Sequence, residues 1–223
     1  RWVVHAPKNV GEIFQGSPIP IQVDIALNLT HEIRYHLTTK IPEYIEGLLN
    51  GEDANALVPL AEGFFKGAHR FWVTRSLDDA KAYVRERYAE NRDARYGLLA
   101  SSKDKVLPAY GIQNTFQDTK VLRVGPWFSD GESSPLSCRM LDKVVTEFQA
   151  QGLELDFVVL GWGTDFIWKD GKRSTAHARG YKRGSSVKNP FQLRLNSYRV
   201  LLTRGRDGAV IFVPKDPVLD ATY

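Results

Sequence analysis

Five short apolar runs constrain this chain more than any other feature. Phe71-Trp72-Val73-Thr74, Tyr96–Ala100, Val144-Val145-Thr146, Phe157–Leu160 and Ala209–Val213 are rich in Val and Ile and do not alternate with polar residues. A strand with one wet face alternates, whereas an unbroken apolar run suits a strand buried on both faces, as in a parallel sheet. Helical signals lie between the runs. Ser76-Leu77-Asp78-Asp79 places a capping serine three residues ahead of an acid and predicts a helix to about Tyr88. Ser101 and Ser102 read as the cap of a further short helix. The last helix is expected from about Pro190 to Arg206, with proline in its first turn, basic residues at its end and Gly208 just beyond. Strands alternating with helices imply parallel pairing through right-handed crossovers, hence a doubly wound α/β sheet with ligands at the carboxyl ends of its strands.

Ahead of the first run the pattern differs. Trp2–His5 is a short apolar strand, and Gly11, Gly16, Pro18 and Pro20 make a connector of residues 1–22. From Thr30, Ile33, Leu37, Ile41, Ile45, Leu48 and Leu49 recur at helical steps, with Gly51 as the stop and a kink or a break expected at Pro42. A second helix follows Asp53 to about Gly63. Residues 23–223 are therefore expected to form one domain, its helical segment at 30–63 preceding the strand–helix repeats. The opening Arg1-Trp2-Val3-Val4 lacks an initiator methionine, and the expectation is a piece of a longer polypeptide.

Composition narrows the class. At 223 residues, 43% hydrophobic and 25% charged, the chain can bury a full core without staples. The single cysteine, Cys138, excludes an intramolecular disulfide and a zinc site built on several thiolates, and favours a reducing compartment. No apolar stretch approaches the roughly 20 residues of a membrane helix, so a soluble, cytoplasmic protein with no membrane partner is expected.

The net charge of +4 is unevenly spread: Lys169 to Arg206 holds eleven basic residues and one acid, Asp170. Two readings stand side by side. Gly171, Gly180, Gly184, Ser185 and Ser186 suit a solvated loop, while clustered cations suit a polyanion, with Trp168, Tyr181 and Phe191 as stacking faces. Lys172, Arg173, Lys182 and Arg183 are the candidate phosphate contacts there.

Common catalytic signatures are missing. The nearest approach to a phosphate loop, Gly171-Lys172-Arg173-Ser174, has Phe166 in place of the first glycine and Arg173 in place of Ser or Thr. His31 and His36 are five apart, which turns the second side chain off the first one's helix face, and no metal site is expected. There is no G-x-S-x-G elbow, and Cys138 lies in a polar segment with no histidine nearby. Asp156 with Asp170-Gly171-Lys172 fits a metal nuclease loosely, but Asp-Gly is also the signature of a tight hairpin turn, which is the stronger reading.

Two segments are more specific. Val144-Val145-Thr146-Glu147-Phe148-Gln149-Ala150-Gln151-Gly152-Leu153-Glu154-Leu155-Asp156-Phe157-Val158-Val159-Leu160 is strand, polar loop, strand; Leu195 to Arg206 is a helix ending Thr203-Arg204-Gly205-Arg206. Together they resemble motifs V and VI of superfamily-one helicases. With Tyr96–Ser102 and Val210-Ile211-Phe212-Val213-Pro214, the chain from about residue 20 onward resembles the C-terminal part of the Schlafen-like DNA/RNA helicase family, bacterial ATPases related to those helicases.

That resemblance implies a P-loop NTPase-type fold: the second RecA-like domain of a helicase, a parallel sheet with helices on both faces and no phosphate loop of its own. ATP and Mg2+ would lie between this domain and an upstream RecA-like domain of the same polypeptide, which supplies the phosphate loop and the magnesium carboxylate. Arg204 would match the arginine that reaches the γ-phosphate; the alternative is a helix-end cation satisfying terminal carbonyls. Gln151, Gly152 and Glu154 would approach the nucleotide. Ser101, Ser102 and Thr146, at strand carboxyl ends, would hold phosphates of DNA or RNA. Two departures stand out. Asn28–Arg34 does not match the family's arginine-containing loop, which leaves Arg34's role open, and Gly205 stands where Ala is usual, expected to loosen the helix end by ~1 kcal/mol. The expected function is thus half of a helicase-like ATPase (a hydrolase), inactive alone. A non-catalytic docking module for nucleic acid or protein, and a metal-dependent nuclease, are the alternatives.

Overall fold

The computed structural model describes residues 2–14, 16–28, 40–65, 67, 69–181, 184 and 186–223. It falls into two compact units, Arg1–Thr39 and Lys40–Tyr223. In the first, β1 (Val4–Ala6) runs parallel to β2 (Ile21–Val23), with Val4 opposite Ile21, and α1 (Lys8–Gly11) lies between them in sequence. The segment expected as a connector thus closes on itself through a short ladder, and the strand begins two residues later than Trp2. The expected start of the next helix, around Thr30, Ile33 and Leu37, lies outside the described residues, as does Arg34.

The second unit opens with α2 (Lys40–Asn50) and α3 (Ala54–Phe65). Pro42 falls in the first turn of α2, where no intrahelical N–H is needed, so it does not break the helix. Gly51 ends α2 with φ +76°, a conformation that favours glycine. Ile41, Ile45 and Leu49 recur at four-residue steps and are buried.

The main sheet contains β3 (Arg70–Thr74), β4 (Tyr96–Ala100), β5 (Val144–Thr146), β6 (Phe157–Gly161) and, last in the chain, a strand at Gly208–Phe212. Between β6 and that last strand lies a hairpin, β7 (Ile167–Lys169) antiparallel to β8 (Lys172–Ser174), so Gly208–Phe212 is β9. The sheet order is β3-β9-β6-β4-β5 and every pairing is parallel. The five apolar runs became these five strands, and all residues of β4, β5, β6 and β9 are buried.

Register explains how both faces are covered. Leu98 pairs with Val159 and Val159 with Val210, and these residues share a buried cluster with Ala80 and Val84 of α4 (Leu77–Arg87). Ser76 caps α4 as its spacing predicts, accepting from the Asp79 N–H at 3.1 Å. On the opposite face, Gly97 lies so close to Trp127 that an added Cβ would sit 2.6 Å from the ring. Trp127 belongs to α6 (Val124–Ser129), which follows the short α5 (Phe116–Lys120). Helices therefore flank both faces of a parallel sheet. The final helix, α7 (Pro190–Leu202), packs on β6 and α2 and is shorter than expected. Thr203 caps its end, its hydroxyl donating to the Arg199 carbonyl at 2.8 Å, and Arg204 and Gly205 make their contacts beyond the helix.

Two further local expectations are resolved. Asp170 (φ 51°) and Gly171 (φ 74°) form the β7–β8 turn, both with positive φ as a tight hairpin requires. Ser101 and Ser102 cap no helix. Asp104 organises the next turn instead, its carboxylate accepting from the backbone N–H groups of Val106 and Leu107 at 2.8 and 2.6 Å. No described helix is long and apolar enough to cross a membrane.

Candidate functional site

Because the strands are parallel, the sheet has an amino edge and a carboxyl edge, and the sequence-selected residues divide between them. Arg204 lies at the amino edge, four residues ahead of β9. There Gly205 bridges Leu155, just ahead of β6. Leu155 N–H donates to the Arg204 carbonyl at 2.9 Å, and Arg206 N–H returns to Leu155 at 2.8 Å. Arg204 is only 6% exposed. Its Nε donates to the Val200 carbonyl at 3.1 Å, and its Nη1 donates to the carbonyls of Ala150 (3.3 Å) and Leu153 (3.1 Å). The guanidinium is therefore seated under the turn at Gly152, joining segments more than fifty residues apart in sequence.

That turn is itself exposed. Gly152 has φ +83° with open space where a Cβ would point, so backbone conformation, not crowding, favours glycine. Gln151, Gly152 and Glu154 all face solvent above the buried Arg204. Gly205 is different: an added Cβ would sit 2.1 Å from the Gly208 carbonyl oxygen. The expectation that glycine here merely loosens a helix end is corrected, since Gly205 lies beyond α7 and two backbones approach too closely for alanine.

The carboxyl edge is built from charge. Ser101 and Glu147 follow β4 and β5 directly, Asp165 lies four residues past the end of β6, and Arg194 of α7 reaches all three. Its Nη2 donates to Glu147 Oε1 at 2.9 Å, and its Nη1 lies 3.3 Å from Asp165 Oδ2 and also bonds Ser101 Oγ. The Arg194 and Glu147 side chains are 3% and 5% exposed. Burial alone would lower the Arg194 pKa, but the Glu147 and Asp165 carboxylates overcome that and hold the guanidinium protonated well above its ordinary value. Tyr198 OH donates to Asp165 at 2.7 Å and Ser197 Oγ accepts from Arg194 at 2.9 Å. Ser102 donates to Glu147 twice, through its N–H and its hydroxyl, both at 2.8 Å.

Above this network lies a groove of about 650 Å³, lined by Ser102 and Thr146 together with Lys103, Arg179, Phe116 and Phe148. Gln151 lines its far end, so the loop from Thr146 to Glu154 runs from one edge of the sheet toward the other. The structure thus brings Ser102 and Thr146 to one groove. Ser101 is fully buried and donates to Asp165, supporting the groove from below.

The basic segment disperses. Arg173 stacks over Trp162, Phe166 and Trp168 with its carbon 5.3–5.5 Å from the ring centroids, and donates to the Leu48 carbonyl at 2.8 Å. Burial pushes its pKa down to about 10. It borders a different, smaller hollow of about 170 Å³. Lys172 is exposed on the hairpin, away from the groove lining, and Lys182 and Arg183 lie outside the described residues. Arg199 pairs with Glu46 at 2.7 Å, and Arg206 with Asp156 and Asp207. Of the candidate stacking faces, only Tyr181 lines the groove, with Lys103 Nζ 4.2 Å from its ring centroid.

Asp156 and Asp170 do not assemble a nuclease centre. Asp156 accepts from the Arg95 N–H at 2.6 Å and pairs with Arg206, while Asp170 sits in the hairpin turn. Among the described residues, no three His, Cys, Asp or Glu side chains converge to hold a metal ion. Cys138 is buried, and burial pushes its thiol up, as suits a packing residue.

Sequence reasoning missed Arg194, Glu147 and Asp165, as well as Lys103, Arg179, Phe116 and Phe148. A signal was present for Glu147, a carboxylate directly after an apolar run, where strand ends collect charged groups; Asp165, four residues past its strand, and Arg194, within α7, carried none. A family model described as Schlafen group 3, DNA/RNA helicase domain, matches residues 5–215. No curated protein and no solved structure matches the chain.

Proposed function

The chain belongs to the Schlafen group 3 DNA/RNA helicase domain family, and from that premise we propose that it acts as the second RecA-like domain of a helicase-type ATPase. In this reading it contributes Arg204 and the Gln151–Glu154 turn to ATP held chiefly by another RecA-like domain of the same polypeptide. The observation that carries the reading is the seating of Arg204 against the Ala150 and Leu153 carbonyls. It joins the two segments that resemble motifs V and VI at one edge of the sheet.

The chemistry follows from what the chain has and lacks. The sequence shows no phosphate loop, and among the described residues no three His, Cys, Asp or Glu side chains converge as a metal site would need, so the reading gives the β- and γ-phosphates and the Mg2+ ion to the other domain. Arg204 can supply charge stabilisation to the transferring phosphoryl group. To do so its Nη1 leaves two neutral carbonyl acceptors, each bond worth about 0.5–1.5 kcal/mol net. A bidentate bond to phosphate is charge-assisted and roughly twice as strong, so domain closure on ATP can drive the exchange. Gly152 lets the backbone come close, and the exposed Glu154 two residues on is available to the sugar hydroxyls.

The carboxyl edge serves the nucleic acid, with Ser102 and Thr146 in its groove. Two elements connect the edges: the Thr146–Glu154 loop, and α7 from Arg194 to Leu202, eight residues or about 12 Å at helical rise, which ends two residues short of Arg204. A strand that shifts the first end shifts the arginine at the other.

Hydrolysis by the full-length polypeptide tests the reading. Arg204→Ala should lower kcat by about 10³-fold or more while nucleotide affinity changes only several-fold. Arg204→Lys should rescue little, because the planar fork is lost. Near-normal hydrolysis by a folded Arg204→Ala protein would instead mark this domain as a docking module.

A further inference from the structure

The groove at the carboxyl edge exposes two phenyl rings that add nothing to the core. Phe116, the first residue of α5, is 71% exposed, and Phe148, two residues after β5, is 65% exposed. Both line the same hollow of about 650 Å³. Single exposed apolar side chains are ordinary, but two rings bordering one polar-floored groove mark a place where flat apolar surface is met.

The charge around them fixes the sign of the ligand. Among the described residues that line the groove, Glu147 is the only carboxylate, and it is paired with Arg194. Lys103 and Arg179 line the same hollow, and Lys120 lies 5.8 Å from the Phe116 ring centroid. The Lys103 ammonium is held below its ordinary pKa, first by partial burial and then by the nearby charges of Arg194 and Arg179, partly offset by Glu147. With Glu147 engaged by Arg194, the Lys103 and Arg179 cations of the lining are what an anionic ligand would meet.

A ligand that is both polyanionic and flat-faced is a nucleic-acid strand with unpaired bases. In a duplex the base faces are already stacked on each other and only their edges are offered, so phenyl rings find nothing to cover. The hollow falls within the usual 300–1,000 Å³ of small-ligand sites, room for roughly one or two nucleotides. Resting on the reading of this edge as the nucleic-acid face, we infer that Phe116 and Phe148 are the base-stacking residues of the groove. They grip unpaired bases of a single strand whose phosphates lie along Lys103 and Arg179. An acidic peptide would match the charge but would leave both rings without a flat partner.

The test is binding by the full-length protein, without nucleotide, so that it is independent of Arg204. Fluorescent 12-mer single strands, deoxyribo and ribo in parallel, are compared with an abasic strand of equal length. Phe116→Ala and Phe148→Ala should each weaken at least one of the two single strands by roughly 5- to 150-fold. Phe148→Trp should stay within a few-fold of wild type, and the abasic strand should bind all variants equally. If wild type binds no strand, the inference falls together with the nucleic-acid reading of this edge. If wild type binds but the alanine variants bind as well, the inference alone falls. It also falls if the abasic strand loses the same factor, or if poly-glutamate displaces the 12-mers as effectively as unlabelled strand does.

Discussion

The two edges of the sheet each hold a buried arginine, and they hold it by opposite means. Arg194, at the carboxyl edge, is clasped by the carboxylates of Glu147 and Asp165, with Ser101 and Ser197 filling out its bonds. Arg204, at the amino edge, rests on the backbone carbonyls of Val200, Ala150 and Leu153. The surroundings repeat the contrast. Side-chain ions tie β4, β5, β6 and α7 together at one end, while backbone bridging between Leu155 and Gly205 ties the strands at the other. An arginine clasped by ions is fixed, because removing either partner strands a buried charge. The carbonyl bonds of Arg204 are individually modest, and in the proposed reading they are the ones exchanged for a phosphate.

The contrast can be broken most forcefully at Arg194. Arg194→Ala leaves Glu147 and Asp165 buried without their cation and should cost about 3–5 kcal/mol in urea denaturation. Arg199→Ala, whose Glu46 pair is 37% and 44% exposed, should cost less than about 1 kcal/mol. Comparable losses would mean that the carboxyl edge is not held by buried charge. The amino edge is sharpened by Gly205→Ala, which drives a Cβ toward the Gly208 carbonyl. It should destabilise by about 1–3 kcal/mol through overpacking, where a helix-end glycine would gain from the change. A stabilised Gly205→Ala protein would show that the close backbone approach does not govern this edge.

The scaffold was legible because it is written locally. A strand buried on both faces needs an unbroken apolar run, so Tyr96–Ala100 and Val144–Thr146 carry their own boundaries, and Ser76 announces α4 by its spacing to Asp79. The Thr146–Leu155 loop and Arg204 were also legible, as segments with a resemblance, and the structure brings them into contact. The fate of the basic segment was not legible, because charges can be counted in sequence but their partners cannot. Arg199 finds Glu46 across 153 positions, and Arg194 finds Glu147 across 47. Ser101 and Ser102 looked like a helix cap because they follow a strand, yet their hydroxyls serve Asp165 and Glu147, which tertiary structure alone delivers. Phe116 and Phe148 stand in polar surroundings whose sequence gives no hint that they border one groove.

The central claim, that Arg204 is a seated arginine able to move onto a phosphate, is tested most directly by a structure of the full-length protein. It would be trapped with ADP and a fluoride mimic of the transferring phosphoryl group. The account predicts the Arg204 guanidinium within about 3 Å of the mimic, with the Ala150 and Leu153 carbonyls released. A guanidinium still bonded to both carbonyls, with the mimic bound beyond its reach, would contradict it.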